Sequence, residues 1–246
     1  MNYHWNWLIF WAEAPDGTGT YLHTLIRGLY WTLGLSVLAW IIALVIGMLV
    51  GVARTLEIGW LERLCAGYVE LFRNIPLLVQ MFLWYFVFPE LLPAHLGDLI
   101  KQADPTWSTF CTAVVCLGLF TSARIAEQVR AGVMALPTGQ RMAGKALGLR
   151  RTQVYRYVLL PMTLRIILPP LTSEALNLIK NSSLAFTIGL LEITGAARSM
   201  QEFSFQIFET FTAATLLYLL VNVVVVALMG LIEKRSAVPG FIGSRR

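Results

Sequence analysis

Long apolar runs alternate with short charged segments along this chain. Residues 28–53 carry no charged side chain, enough to cross a hydrocarbon core of about 30 Å with some tilt. Taken from its polar edge, this first span is 24–53. The second, 64–88, holds Glu70 and Arg73 in its first part and Pro76 as the expected site of a kink. The third, 106–136, is apolar at first and then carries Arg124, Glu127 and Arg130. The fourth, 162–191, is interrupted by Pro169 and Pro170 and then holds Glu174, Asn177, Lys180 and Asn181. The fifth, 210–232, is uncharged and ends at Glu233, Lys234 and Arg235. The pattern predicts an all-α, polytopic membrane protein with five transmembrane helices. Its parts are an external tail over 1–21, a membrane domain over 22–235 and a cytoplasmic tail over 236–246.

The connecting segments set the orientation. The tail 1–21 has no Lys or Arg, carries Tyr3, Trp5 and Trp7, and turns at Pro15, Asp16 and Gly17. The aromatics suit headgroup depth. Arg54 and Arg63 flank the first loop, and Lys101 is alone in the second. The third loop, 137–161, holds Arg141, Lys145, Arg150, Arg151 and Arg156 and no acid, while Arg198 is alone in the fourth. Because basic loops face the cytoplasm, this alternation places the N-terminus outside and the C-terminus inside. Residues 1–20 lack the positive segment of a cleaved signal peptide, so the N-terminus is expected to remain as a tail.

Composition agrees. The chain is 57% hydrophobic and 13% charged, with mean hydropathy +0.67, against about 25% charged in soluble domains. The net charge of +5 comes from the ends of apolar runs, so topology explains it better than nucleic acid does. Cys65, Cys111 and Cys116 lack metal-ligand spacing and read as small buried hydrophobes, with no disulfide frame. His4, His23 and His95 lie near external or interfacial positions, and no nucleophile–base set accompanies them, so the chain is not read as an enzyme. Gly47 and Gly51 in the first span form a small-xxx-small pair that lets another helix approach closely.

Ionisable groups inside spans are costly and face protein or a water-filled path. Arg124, Glu127 and Gln128 stand at i, i+3 and i+4 and share one helical face, where Arg124 can pair with Glu127. Glu174, Asn177 and Asn181 share a face of the fourth span, and Glu70, Arg73 and Asn74 one of the second. Such charges can clamp a bundle or snorkel. Two polar stripes on separate helices exceed what one structural pair needs, so Arg73, Asn74, Arg124, Glu127, Gln128, Glu174, Asn177 and Asn181 are the expected substrate path. A guanidinium meets a carboxylate with two parallel hydrogen bonds, which makes Arg124 apt for an anionic solute. No internal repeat is visible, whereas an inverted-repeat secondary transporter favours one.

Within the basic loop, Gly139 to Ala146 nearly spells a phosphate-binding P-loop. Ala146 stands where Mg²⁺ needs Ser or Thr, and no strand precedes it. The same stretch resembles the cytoplasmic EAA loop of ABC importer permeases. Met142, Ala143 and Gly144 are followed by Gly148 and then by Leu160–Pro161 at that loop's spacing, with Met142 and Gly144 departing from its opening Glu-Ala-Ala. Arg73, Pro76, Leu77, Leu78, Val79 and Gln80 resemble a signature of polar amino-acid permeases. So do Glu127 and Arg130 ahead of Leu136, Pro137, Gly139 and Gln140, and the run from Asn177 to Ser183. The likeness covers roughly 22–235 and is nearest to permeases of bacterial glutamate/aspartate importers.

That resemblance implies a MetI-like type I importer permease fold in the bacterial inner membrane. It implies a second permease, similar or identical, two copies of an ABC ATPase and a periplasmic amino-acid-binding protein. ATP and Mg²⁺ would sit on the ATPase, with no cofactor on this chain. Residues Arg141, Met142, Ala143, Gly144, Lys145, Ala146, Leu147 and Gly148 would form a short helix docked in a groove of the ATPase. Ala143, Lys145, Ala146 and Leu147 favour helix and Gly148 stops it. An ion-coupled transporter or channel acting without an ATPase is the alternative.

Overall fold

The computed structural model describes residues 3–15, 17 and 19–236. The expected tail beyond Ser236, and Asp16 of the expected turn, lie outside them. Among the described residues every regular element is helical, apart from one isolated β-bridge between Glu13 and Thr20. Hydrocarbon offers no partner to an unpaired amide, so a chain this apolar satisfies its backbone within helices. In order they are α1 (Tyr21–Ala53), α2 (Gly59–Asn74), α3 (Leu77–Phe82), α4 (Phe88–Leu91), α5 (Ala94–Gln102), α6 (Pro105–Met134), α7 (Thr138–Ala146), α8 (Arg151–Val154), α9 (Leu160–Ser182), α10 (Ile193–Ser204) and α11 (Ile207–Ser236). Single π-turns join α3 to α4 and α8 to α9.

Three of these, α1, α6 and α11, are long and apolar enough to span a membrane, and a fourth span arises if α2 and the helical run Leu77–Leu91 count as one. Two expectations change here. The run 64–88 is not one kinked helix: α2 stops at Asn74 and α3 starts at Leu77, with Pro76 in extended geometry between them. Proline has no N–H to continue the ladder and pushes the preceding residue out of helical geometry. In the fourth run the reverse holds, for α9 passes through Pro169 and Pro170 without a break. It ends instead at Ser182, followed by a 3-10 turn over Ser183–Ile188 and Gly189 at φ +99°.

The chain forms two compact units, and α1, α6, α9 and α11 each contribute to both. The first comprises residues up to Ile41, Ile75–Gly118 and Asn177–Val223. Its core joins Tyr21 and Leu25 of α1 to Ile193, Ala196, Ala197 and Met200 of α10 and Ala214 of α11. The two helices approach at Gly28, where a Cβ would meet that of Ala196 at 2.9 Å. Glu192 caps α10: its carboxylate accepts the N–H groups of Thr194 and Gly195, both at 3.0 Å, and the hydroxyl of Tyr218 at 2.6 Å. Exposed Cys111 departs from the buried reading that holds for Cys65 and Cys116. It lies on an apolar cavity of about 350 Å³ with Trp84, Phe88 and Trp107.

The second unit comprises Ile42–Asn74, Leu119–Leu176 and Val224 onward. Gly47 and Gly51 do admit a close helix, and it is α6 of the same chain. A Cβ at Gly47 would lie 2.7 Å from that of Ile125, and one at Gly51 2.6 Å from that of Val129. An apolar floor of Leu136, Val154, Tyr155 and Leu159, with Val52, Leu56, Leu149 and Met162 against it, meets α7 where Val154 faces Gly144. Overpacking a tight helix contact costs about 1–3 kcal/mol. Gly51→Leu is therefore expected to lower the thermal unfolding midpoint in detergent, while Gly67→Leu, at a glycine with open space around it, leaves the midpoint in place.

Candidate transport and coupling site

Three polar side chains meet in the second unit. Arg124 projects from α6 and donates from Nε and Nη2 to the two oxygens of Glu174 on α9, at 2.7 and 3.1 Å. Gln128, one turn further along α6, donates from Nε2 to the same carboxylate at 3.1 Å. The Glu174 side chain is 8% exposed and that of Arg124 41%. The carboxylate is thus enclosed, while part of the guanidinium stays accessible. The side-chain oxygen of Gln128 is buried without a hydrogen-bond partner. Together they form an accessible cation, an enclosed anion and an orphaned acceptor.

The partner of Arg124 is Glu174, not Glu127 as helical spacing allowed. Glu127 gives one oxygen to Arg130 at 2.6 Å and the other to Arg54 at the end of α1. Arg130 is bound in this pair. Glu70, Arg73 and Asn74 stay exposed toward the end of α2. Asn177 and Asn181 continue along α9 as half-buried residues of the first unit, and Lys180 is exposed. Arg124, Gln128 and Glu174 are therefore the expected path residues that the structure joins.

The basic loop does form a helix, α7, and it stops before Gly148, which takes φ +75°. That left-handed geometry suits glycine. Met142 is 69% and Leu147 81% exposed, beside exposed Ala143, Lys145 and Ala146. Gly144 turns inward, where a Cβ would lie 3.2 Å from a methyl of Val154. The position thus has room for glycine, or for alanine with a small adjustment. Arg141, one turn before Lys145, pairs with Glu57 at 2.6 Å.

Three residues that close this region were not singled out beforehand, Thr55, Glu57 and Tyr155, and Arg54 entered only as a flank of the first loop. The Tyr155 hydroxyl donates to the Thr55 carbonyl at 2.6 Å within the buried floor. Glu57, in the turn after Arg54, takes φ +57°. Its carboxyl lies below the ordinary carboxylate range, first because Arg141 hydrogen-bonds it and then through that charge. A depressed carboxyl keeps its ion pair as pH falls past the unfolded value and releases it only below the folded one. The Glu57–Arg141 contact is thus intact throughout the neutral range.

Comparison with known proteins adds the following. The profile of the family described as "Binding-protein-dependent transport system inner membrane component" matches residues 43–238. The chain is 47% identical over 246 residues, 100% of both proteins, to the glutamate/aspartate import permease protein GltJ of Escherichia coli K12. It is 35% identical over 234 residues, 95% of this chain and 98% of the other, to the glutamine transport system permease protein GlnP of the same organism. Among solved structures, an amino acid ABC transporter crystallised with histidines superposes with TM-score 0.73 at 29% identity, over 87% of this chain and 95% of that one. A chain of the MetNI methionine ABC transporter superposes with TM-score 0.72 at 20% identity, over 88% and 98%, a likeness of fold alone.

Removing one member of a buried ion pair leaves the other uncompensated, at about 3–5 kcal/mol for a fully enclosed pair. Arg124 is 41% exposed, so solvent offsets part of this. Glu174→Ala is expected to destabilise the purified protein by roughly 1–3 kcal/mol. Glu174→Gln, which keeps the hydrogen-bonding shape, should be milder. Thermal unfolding of both variants in one detergent checks the order.

Proposed function

The chain belongs to the family of binding-protein-dependent transport system inner membrane components, and from that premise we propose that it is the permease subunit of an ATP-driven ABC importer of polar amino acids, glutamate and aspartate foremost. The full-length likeness to a permease of glutamate/aspartate import carries this reading. Arg124 supports an anionic substrate, because a carboxylate entering from outside can compete with Glu174 for the guanidinium. The orphaned oxygen of Gln128 can accept from the substrate ammonium group. Arg73, Asn74, Asn177 and Asn181 extend the proposed path, whereas Glu127 is held by Arg54 and Arg130.

The proposed topology has five transmembrane segments, N-terminus outside and C-terminus inside, on the argument of Lys and Arg distribution. The membrane domain runs over 22–235, with the coupling loop over 137–161. One copy supplies a single Arg124–Glu174 face, so a second permease, identical or similar, completes the path. Two copies of an ABC ATPase hold ATP and Mg²⁺ on the cytoplasmic side, and a periplasmic binding protein delivers the amino acid. This chain carries no catalytic residue in that scheme. The face of α7 built from Arg141 to Gly148 docks on the ATPase. Exposed Met142 and Leu147 give it an apolar contact, with Lys145 beside them.

Reconstitution tests the reading. Vesicles holding the permeases, the ATPase and the binding protein are expected to accumulate L-glutamate only with ATP inside the ATPase compartment. Uptake driven by an ion gradient with no ATPase present overturns it in favour of a secondary transporter. Gly148→Asp forces a side chain into left-handed backbone, about 1–2 kcal/mol, and adds a carboxylate to a docking face that is otherwise apolar with Lys145 beside it. It should lower ATP-driven uptake about 10-fold at unchanged membrane level, and normal uptake would remove α7 from the coupling role.

A further inference from the structure

The second unit contains a continuous run of contacts from α7 to the Arg124–Glu174 pair. We propose that Arg54 and Glu57 of the first cytoplasmic turn are positioning residues that carry motion of the coupling helix to the intramembrane ion pair. The proposal rests on the importer reading above and adds a route within this chain. Two tethers hold the turn to the coupling segment: Arg141 of α7 to Glu57 at 2.6 Å, and the Tyr155 hydroxyl to the Thr55 carbonyl at 2.6 Å. From the same turn Arg54 reaches Glu127 on α6. Glu127 adjoins Gln128 and stands one helical turn from Arg124, and both of those hold Glu174. Displacement of α7 thus pulls the turn, the turn pulls α6 at Glu127, and α6 carries Arg124 and Gln128 against Glu174.

Three features distinguish this turn from a plain loop. The Arg54–Glu127 pair is largely shielded, with side chains 15% and 26% exposed, so water and salt weaken it less than a surface pair. Arg54 Nε is buried with no partner, an unfavourable placement that a snorkelling anchor avoids. Glu57 stands at φ +57°, a left-handed geometry that non-glycine residues seldom adopt, and its carboxylate holds Arg141. Local preference opposes the geometry, and the tethers hold it.

The test uses the complete reconstituted transporter and reads two quantities together, L-glutamate uptake and ATP hydrolysis. Arg54→Gln is expected to keep ATPase stimulation by loaded binding protein within about 2-fold of the parent while uptake per ATP falls about 5-fold. Arg54→Lys, which keeps the charge, should recover at least about half of the lost coupling. Glu57→Gln, on an exposed side chain that threatens no core, should lower uptake per ATP about 2-fold. In series with Arg54→Gln it should add nothing. Unchanged uptake per ATP in Arg54→Gln, or multiplying effects of the two substitutions, overturns the proposal. Should Arg54→Gln fail to assemble, Glu57→Gln alone decides, with unchanged coupling counting against it. A parent transporter that moves no glutamate with ATP instead overturns the substrate or importer reading.

Discussion

A carboxylate enclosed at Glu174, in a chain this apolar, requires a cation and further donors, and the second unit is arranged to bring them. Arg124 supplies two parallel hydrogen bonds and Gln128 a third. The enclosed carboxylate and the partly open guanidinium differ in what they offer a solute. The first is already satisfied, and the second retains accessible surface. In the proposed path, that asymmetry leaves guanidinium surface open to a carboxylate while Glu174 stays held.

Holding α6 in place for that pair depends on close backbone approach at α1. Gly47 and Gly51 bring α1 against Ile125 and Val129 at distances that exclude any Cβ. In hydrocarbon, small residues allow the van der Waals contact that replaces a hydrophobic driving force between helices. The same approach carries the end of α1 to the turn where Arg54 finds Glu127. Packing and ion pairing are thus one arrangement, with glycine spacing setting the reach of the charged side chains.

Within the second unit, α7 combines an inner and an outer demand. Gly144 fits under Val154 while Met142 and Leu147 stand exposed. Where an EAA loop opens with an acid, this chain presents Met142. The acid near α7 comes instead from Glu57 of another loop, through Arg141. The apolar floor around Tyr155 keeps that contact in register by burying the Tyr155–Thr55 hydrogen bond.

Much of this protein is legible in its sequence. Apolar runs mark most of the helices, and Gly148 marks where α7 stops. These signals are local or periodic, so they survive without knowledge of which helices meet. Helix ends were less legible: Pro76 breaks its helix whereas Pro169 and Pro170 do not, because tertiary packing decides whether freed carbonyls are tolerated. Side-chain pairing was the least legible. Helical spacing offered Glu127 to Arg124, yet the structure matches Arg124 with Glu174, 50 residues away, and Arg54 with Glu127, 73 residues away. An i,i+3 neighbour on an open helix face competes with any charge that packing brings closer. The sequence by itself determined which residues carry charge within the apolar runs, because composition and spacing are local; only the tertiary structure decided which of them meet, because pairing depends on packing between distant helices.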